Sequence, residues 1–225
     1  VKAILLQLLK WKRFQELIEG FVILKKKIER SFMPGQKIAE EERKQQILSA
    51  ALRIAAQMGL EKVTGRRVAA EAGLSSGLIF FHYKTKEDLL LALLDQLIAW
   101  WLTLRDMHST DARSRFLELV QLEAHVDVDD RALLDLVLEF WILSKHHPDM
   151  RSRLRNAMTS YRERFRLAAQ AMIDENHDKF SEVTADSMAV FVSSLVLGNA
   201  LQVMFDPDQS NTEDLLSLTK VLFVN

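Results

Sequence analysis

Residues 64–86, TGRRVAAEAGLSSGLIFFHYKTK, decide how this chain is read. Thr64 can cap a helix, because its hydroxyl oxygen can accept one of the free N–H groups at a helix start. Val68, Ala69 and Ala72 supply an apolar face, and Gly73 ends the helix where the backbone must swing to positive φ. Leu74 is expected to turn back into the core. Ser75 then caps a second helix only two residues after the glycine, and so short a turn between helices is the helix-turn-helix signature. Thr85, with Asp88 three residues on, caps a third helix that runs into LLLALL. The pattern predicts a short helix presented to DNA.

Composition agrees. The 225 residues allow one large domain or two small ones. Gly and Pro are scarce and apolar residues recur at spacings of three and four, which predicts an all-α fold. With no cysteine there is no disulfide framework, thiolate metal site or thiol nucleophile, which fits a cytoplasmic protein. The net charge of −1 conceals a gradient: residues 1–92 hold 17 Lys+Arg against 10 Asp+Glu, and residues 93–225 hold 13 against 21. A basic first part on an acidic second part fits a nucleic-acid-facing head joined to a body of other purpose, although the first 32 residues supply much of the excess.

Residues 1–32 place apolar side chains at helical spacing among lysines and arginines, the pattern of a basic amphipathic helix. No apolar run there reaches the ~20 residues of a membrane span, and no small-residue cleavage site makes it a secretory signal. The preferred reading is an upstream stretch preceding a true start at Met33; the second is an accessory arm. Residues 33–88 are then the DNA-binding head, and residues 89–225 the helical body. In the head, a first helix runs to about Met58, with Ile47, Ala50, Ala51, Ile54, Ala55 and Met58 as its buried stripe, and Gly59 ends it. Further helices are expected at residues 86–106, 111–126, 130–146, 148–175, 184–205 and 213–223, the first of them a rod joining head to body. Pro148 suits a first helical turn, and Asp206-Pro207 stops the apolar helix before it.

The run KQQILSAALRIAAQMGLEKVTGRRVAAEAGLSSGLIFFHYKTKEDLLLALL resembles the DNA-binding domain of the TetR family of bacterial transcriptional regulators. The likeness rests on the paired alanines of the first helix, Ala69-x-x-x-Gly73, and the aromatic-aromatic-His-aromatic-Lys-x-Lys run at 80–86. The body resembles, more weakly, the BetI-type C-terminal domain, through Leu138-Glu139-Phe140-Trp141 and Leu197-Gly198-Asn199-Ala200-Leu201-Gln202 before Asp206-Pro207-Asp208. The resemblance implies a homodimer that represses transcription from a pseudo-palindromic double-stranded operator and is released by a small molecule. It also implies that Thr64, His82 and Lys86 grip phosphate, and that Arg66 reaches a guanine edge or a phosphate. Ser75, Ser76 and Gly77 are short enough to face base edges, and Leu78 and Phe81 can touch thymine methyls or pack into the head's own core. Arg43 and Lys44 can meet phosphate or simply be solvated. The family has Tyr where this chain has Phe80, and commonly Thr or Ser where it has Gly65.

A bundle pocket would be apolar with a few polar groups. Trp100, Trp101, Phe116, Phe140, Trp141 and Tyr161 are candidates to line it for an apolar or amphipathic ligand, with Glu123 and Asn199 as polar members; plain core packing is the competing reading for each. Small residues Ser193, Ser194 and Gly198 mark residues 184–205, with 213–223, as the dimer face. An activator or a ligand-independent regulator is the same-family alternative. A metal-dependent enzyme is disfavoured: His146 and His147 are adjacent and so point about 100° apart, and no HExxH occurs. No catalytic residue, cofactor or metal is expected, and a membrane is not an expected partner.

Overall fold

A computed structural model describes residues 36–103, 107–125, 128–176, 178–206 and 212–224. The amphipathic segment 1–32 lies outside the described residues. Among those described there are nine α-helices and no strand: α1 Gln36–Met58, α2 Gly65–Ala72, α3 Ser76–His82, α4 Lys86–Trp101, α5 Ala112–Ala124, α6 Val128–Leu143, α7 Pro148–Glu175, α8 Ala185–Phe205 and α9 Thr212–Val224, with a 3₁₀ turn at Leu60–Lys62. The all-α expectation holds. The third predicted helix is shorter than the rod read from its spacing, because it stops at Trp101.

Two compact units form. The first takes α1 to α4 together with residues 128–153, and the second takes residues 102–127 and 154–225. α7 therefore begins in one unit and ends in the other.

In the first unit α1 is the spine. It contacts α2, α4, α6 and the 3₁₀ turn. Its second half is buried almost all round, with Ile47, Ala50, Ala51, Ile54 and Ala55 joined by Leu48 and Leu52. Met58 departs from the expected stripe and is 56% exposed, because the helix ends there and Gly59, at φ 87°, turns the chain away. Leu60 and Val63 then plug the underside of the turn. Leu89, Leu93 and Leu94 of α4, and Leu133, Leu136 and Phe140 of α6, complete the unit's core. Each fully buried side chain of this size contributes roughly 1.5–3 kcal/mol.

In the second unit α5 packs against α8 and α9. Phe116 meets Phe223 edge-on at 5.3 Å, and Tyr161 meets Phe165 one turn along α7 at 5.2 Å. Polar groups close the ends of α5. Ala112 N–H donates to Glu175 at 3.1 Å, and Arg113 Nε donates to the Phe223 carbonyl at 2.8 Å. At the other end Asn199 Nδ2 donates to the Ala124 carbonyl at 3.0 Å and to Thr212 Oγ1 at 3.3 Å. α8 opens with a reciprocal capping box between Thr184 and Ser187. By length and composition α8 could cross a membrane, yet one side of it, including Met188, Val192, Val196 and Val203, is buried in the unit.

Candidate functional site

α2 and α3 are built by their caps. Thr64 Oγ1 accepts from Arg67 N–H at 3.4 Å, and an extended Thr64 backbone starts the helix cleanly. Val68 and Ala69 face inward. Gly73 sits at φ 66°, ψ 33°, where a side chain is disfavoured. Leu74 N–H reaches back to the Ala69 carbonyl at 2.8 Å, closing the glycine-ended helix terminus. Ser75 Oγ accepts from Leu78 N–H at 3.3 Å and opens α3. Ile79 and Tyr83 are the buried anchors of α3. Burial pushes the Tyr83 hydroxyl up to about 12, with the nearby Glu41 charge acting in the same direction. The Thr85–Asp88 box then starts α4, each backbone N–H donating to the other's side chain at 3.0 Å.

With its inner side fixed, α3 turns Gly77, Phe80 and Phe81 to solvent, with Ser76 and Leu78 half-buried at the edge. Phe81 is 76% exposed, which excludes the core reading for it. Its ring meets His82 edge-on at 5.2 Å. The two departures from the family pattern touch: a Cβ at Gly65 would stand 3.4 Å from the Phe80 ring. The two positions are therefore neighbours at van der Waals distance.

The cations around α3 have local partners. Lys86 Nζ donates to the Glu61 carbonyl at 3.0 Å. Lys44 pairs with Glu40 at 2.9 Å, and the hydrogen bond between them raises the lysine and lowers the carboxyl. Both groups are exposed, so the pair holds little energy against a competing phosphate. Arg43 donates to Gln46 Oε1 at 2.7 Å, and Gln46 in turn donates to the Ala72 carbonyl at 2.8 Å, tying α1 to the end of α2. Arg66 and Arg67 stand exposed at the start of α2. Thr64, Gly65, Arg66, Ser75, Ser76, Gly77, Leu78, Phe80, Phe81, His82 and Lys86 thus all lie on or beside the two short helices, and Arg43 and Lys44 lie on α1.

Of the body candidates, Trp100, Trp101, Phe140 and Trp141 belong to the first unit, and Phe116, Glu123, Tyr161 and Asn199 to the second. Phe116, Phe140 and Tyr161 are plain core, at 1% exposure or less. Trp141 corrects the expectation: it is 54% exposed, because α6 turns Phe140 inward and the next position points about 100° away. Asn199 is engaged by Ala124 and Thr212 and is not a free pocket group. Glu123 accepts from Arg164 at 3.1 Å, in a pair about nine-tenths shielded from solvent, and the guanidinium lies over the Tyr161 ring. Among the described residues no His, Asp and Glu cluster is arranged to hold a metal.

Sequence reasoning passed over Gln46, Glu61 and Glu139 as anchors. Gln46 and Glu61 carried no signal, since one acts on a backbone carbonyl and the other through its own. Glu139 was visible only as part of the Leu138–Trp141 run.

Comparison with known proteins places this geometry. Residues 47–93 match the family described as bacterial regulatory proteins, tetR family, and residues 112–222 match the BetI-type transcriptional repressor C-terminal domain. The HTH-type transcriptional regulator PksA of Bacillus subtilis is 28% identical over 187 residues, covering 80% of this chain and 87% of that protein. Among solved structures, a TetR transcription regulator from Haloarcula marismortui superposes with a TM-score of 0.69 at 23% identity, over 82% of this chain and 97% of the other. A transcriptional regulator from Saccharomonospora viridis in complex with choline gives a TM-score of 0.64 at 23% identity, over 82% and 97%.

Proposed function

Since this chain belongs to the TetR family of bacterial transcriptional regulators, with a BetI-type C-terminal domain, we propose that it binds a pseudo-palindromic operator as a homodimer and is released from it by a small apolar or amphipathic molecule. The observation that carries the reading is the α3 face: a capped, glycine-preceded helix whose outward side is made of Ser76, Gly77, Leu78, Phe80 and Phe81. Short residues near a helix start let the backbone approach base edges, and the apolar residues after them suit thymine methyls. In this reading Arg66 reads a base edge, while Thr64, His82, Lys86, Arg43 and Lys44 fix register on phosphates. Thr64 keeps its hydroxyl hydrogen for such a contact, because only its oxygen is used by the cap.

The division of labour assigns residues 33–88 to DNA and residues 89–225 to ligand and dimerisation, in a cytoplasmic protein. A ligand acts by preferring one arrangement of the dimer over the other, and its leverage equals that preference, ~1–3 kcal/mol of coupling. Among the aromatic candidates, the half-buried Trp100 and Trp101 remain the ones best placed to respond to a ligand by fluorescence. Footprinting of the purified protein on the DNA upstream of its own gene, at moderate salt, tests the reading. Protection of a two-fold repeat with half-site centres about 34–36 Å apart is expected. Indifference between that DNA and random sequence would refute it.

A further inference from the structure

The Leu60 N–H opens the 3₁₀ turn that leads into α2, and the residue before it, Gly59, offers no side chain to cap it. The cap comes instead from 79 residues away. Glu139 of α6 accepts that N–H on Oε2 at 2.7 Å. Gly59 holds the turn at φ 87°, and a Cβ there would stand 3.4 Å from both carboxylate oxygens, at van der Waals contact. The bond lies beside an open cleft lined by Met58, Gly59, Asp135, Leu138 and Ile142. Glu139 thus makes a directional bond between α6 and the turn that carries the helix-turn-helix. A short, charge-assisted hydrogen bond to a backbone N–H adds a directional constraint that apolar contacts lack.

We infer that Glu139 is a positioning residue for operator binding, setting the orientation of the helix-turn-helix on α6 by capping the Leu60 N–H. This rests on the proposed dimeric operator reading, since orientation matters only where two heads must meet two half-sites at one spacing. A single head on a single half-site makes no such demand. Loss of the cap therefore weakens binding to the full operator and spares the half-site. The exposed Asp95–Arg153 pair, also in this unit, is a control, since an exposed pair holds little orientation.

The test uses the full chain and DNA selected from a random library by the wild-type protein, presented as the complete repeat and as one half-site. Affinities of wild type, Glu139→Ala, Glu139→Gln and Asp95→Asn are measured by anisotropy at a temperature where circular dichroism shows all four folded and sedimentation shows all four dimeric. Glu139→Ala is expected to lose about tenfold on the repeat, an ordinary coupling magnitude, and to match wild type on the half-site. Glu139→Gln, which keeps an acceptor oxygen, recovers most of the loss, and Asp95→Asn behaves as wild type. Equal loss on both DNAs, a lowered melting temperature with unchanged affinities, or the same loss in Asp95→Asn would each overturn the assignment. Failure of the wild type to select any repeated sequence would instead refute the operator reading itself.

Discussion

Gly77 lies within α3 with nothing closer to its missing Cβ than Ser75 Oγ at 4.0 Å. A methyl group there meets no protein atom, and a helical glycine is about 0.5–1 kcal/mol less favourable than alanine. Gly77→Ala should therefore raise the denaturation midpoint. If α3 lies against base edges, the same methyl should lower operator affinity, so stability and binding move in opposite directions. A parallel rise in both would place Gly77 away from the DNA. The two cations make a second contrast. Arg66→Ala should cost ~1–3 kcal/mol on the operator and relax preference at one base position. Lys86→Ala should weaken all DNA sequences alike and lower the slope of log affinity against log salt by about 1. Its bond to the Glu61 carbonyl is exposed and neutral on the acceptor side, so its loss should leave the melting temperature almost unchanged. Competition titrations over a salt series distinguish the two variants.

At the scale of elements, α3 is held by Ile79 and Tyr83, and the tyrosine makes that anchorage sensitive to alkali. Its hydroxyl sits at about 12 in the folded chain, against 10.0 for an ordinary tyrosine. A group raised on folding adds stability that is fully present below the unfolded value and is lost as pH climbs towards the folded one. Wild type should lose stability between about pH 10 and 12, and Tyr83→Phe should lose less over the same window. All other groups are common to both proteins, so the difference between two denaturation series isolates the tyrosine. The elements themselves were legible in the residues wherever a local device defines them. Thr64, Ser75 and Thr85 cap as their positions promised, and Gly59 and Gly73 take positive φ. Long-range facts were not legible. Met58 continues a helical stripe, yet the turn at Gly59 leaves it in solvent. Trp141 follows the buried Phe140 and faces out. Glu139 resembles any helical glutamate until α6 is laid beside the 3₁₀ turn. Gly65 and Phe80, 15 positions apart in sequence, are neighbours in the fold.

At the scale of the whole molecule, α8 and α9 each leave apolar side chains exposed. Val190, Phe191, Leu201 and Phe205 are exposed on one stripe of α8, with Ser194 between them, and Leu218, Val221 and Leu222 are exposed on α9. Exposed apolar side chains at helical spacing support the proposed dimer face. Its small and branched side chains suit a self-complementary four-helix contact between two copies. Ser193, expected on that face, is instead buried and bonds its own helix at Val190, so Ser194 and Gly198 are the small residues left to let the copies approach. Charge placed on this surface costs little in a lone chain, because Leu201 and Leu222 are 40% and 50% exposed, but is expensive between two copies that bury it without a partner. The double variant Leu201→Glu, Leu222→Glu should sediment as a monomer at micromolar concentration, with its helical circular dichroism retained. It should keep the wild-type affinity for a single half-site and lose the affinity that the complete repeat adds, because linked heads gain from effective concentration and separate ones do not. A variant that stays dimeric would move the interface off these helices. A monomer that still prefers the complete repeat would show that the two heads associate on DNA by some other surface.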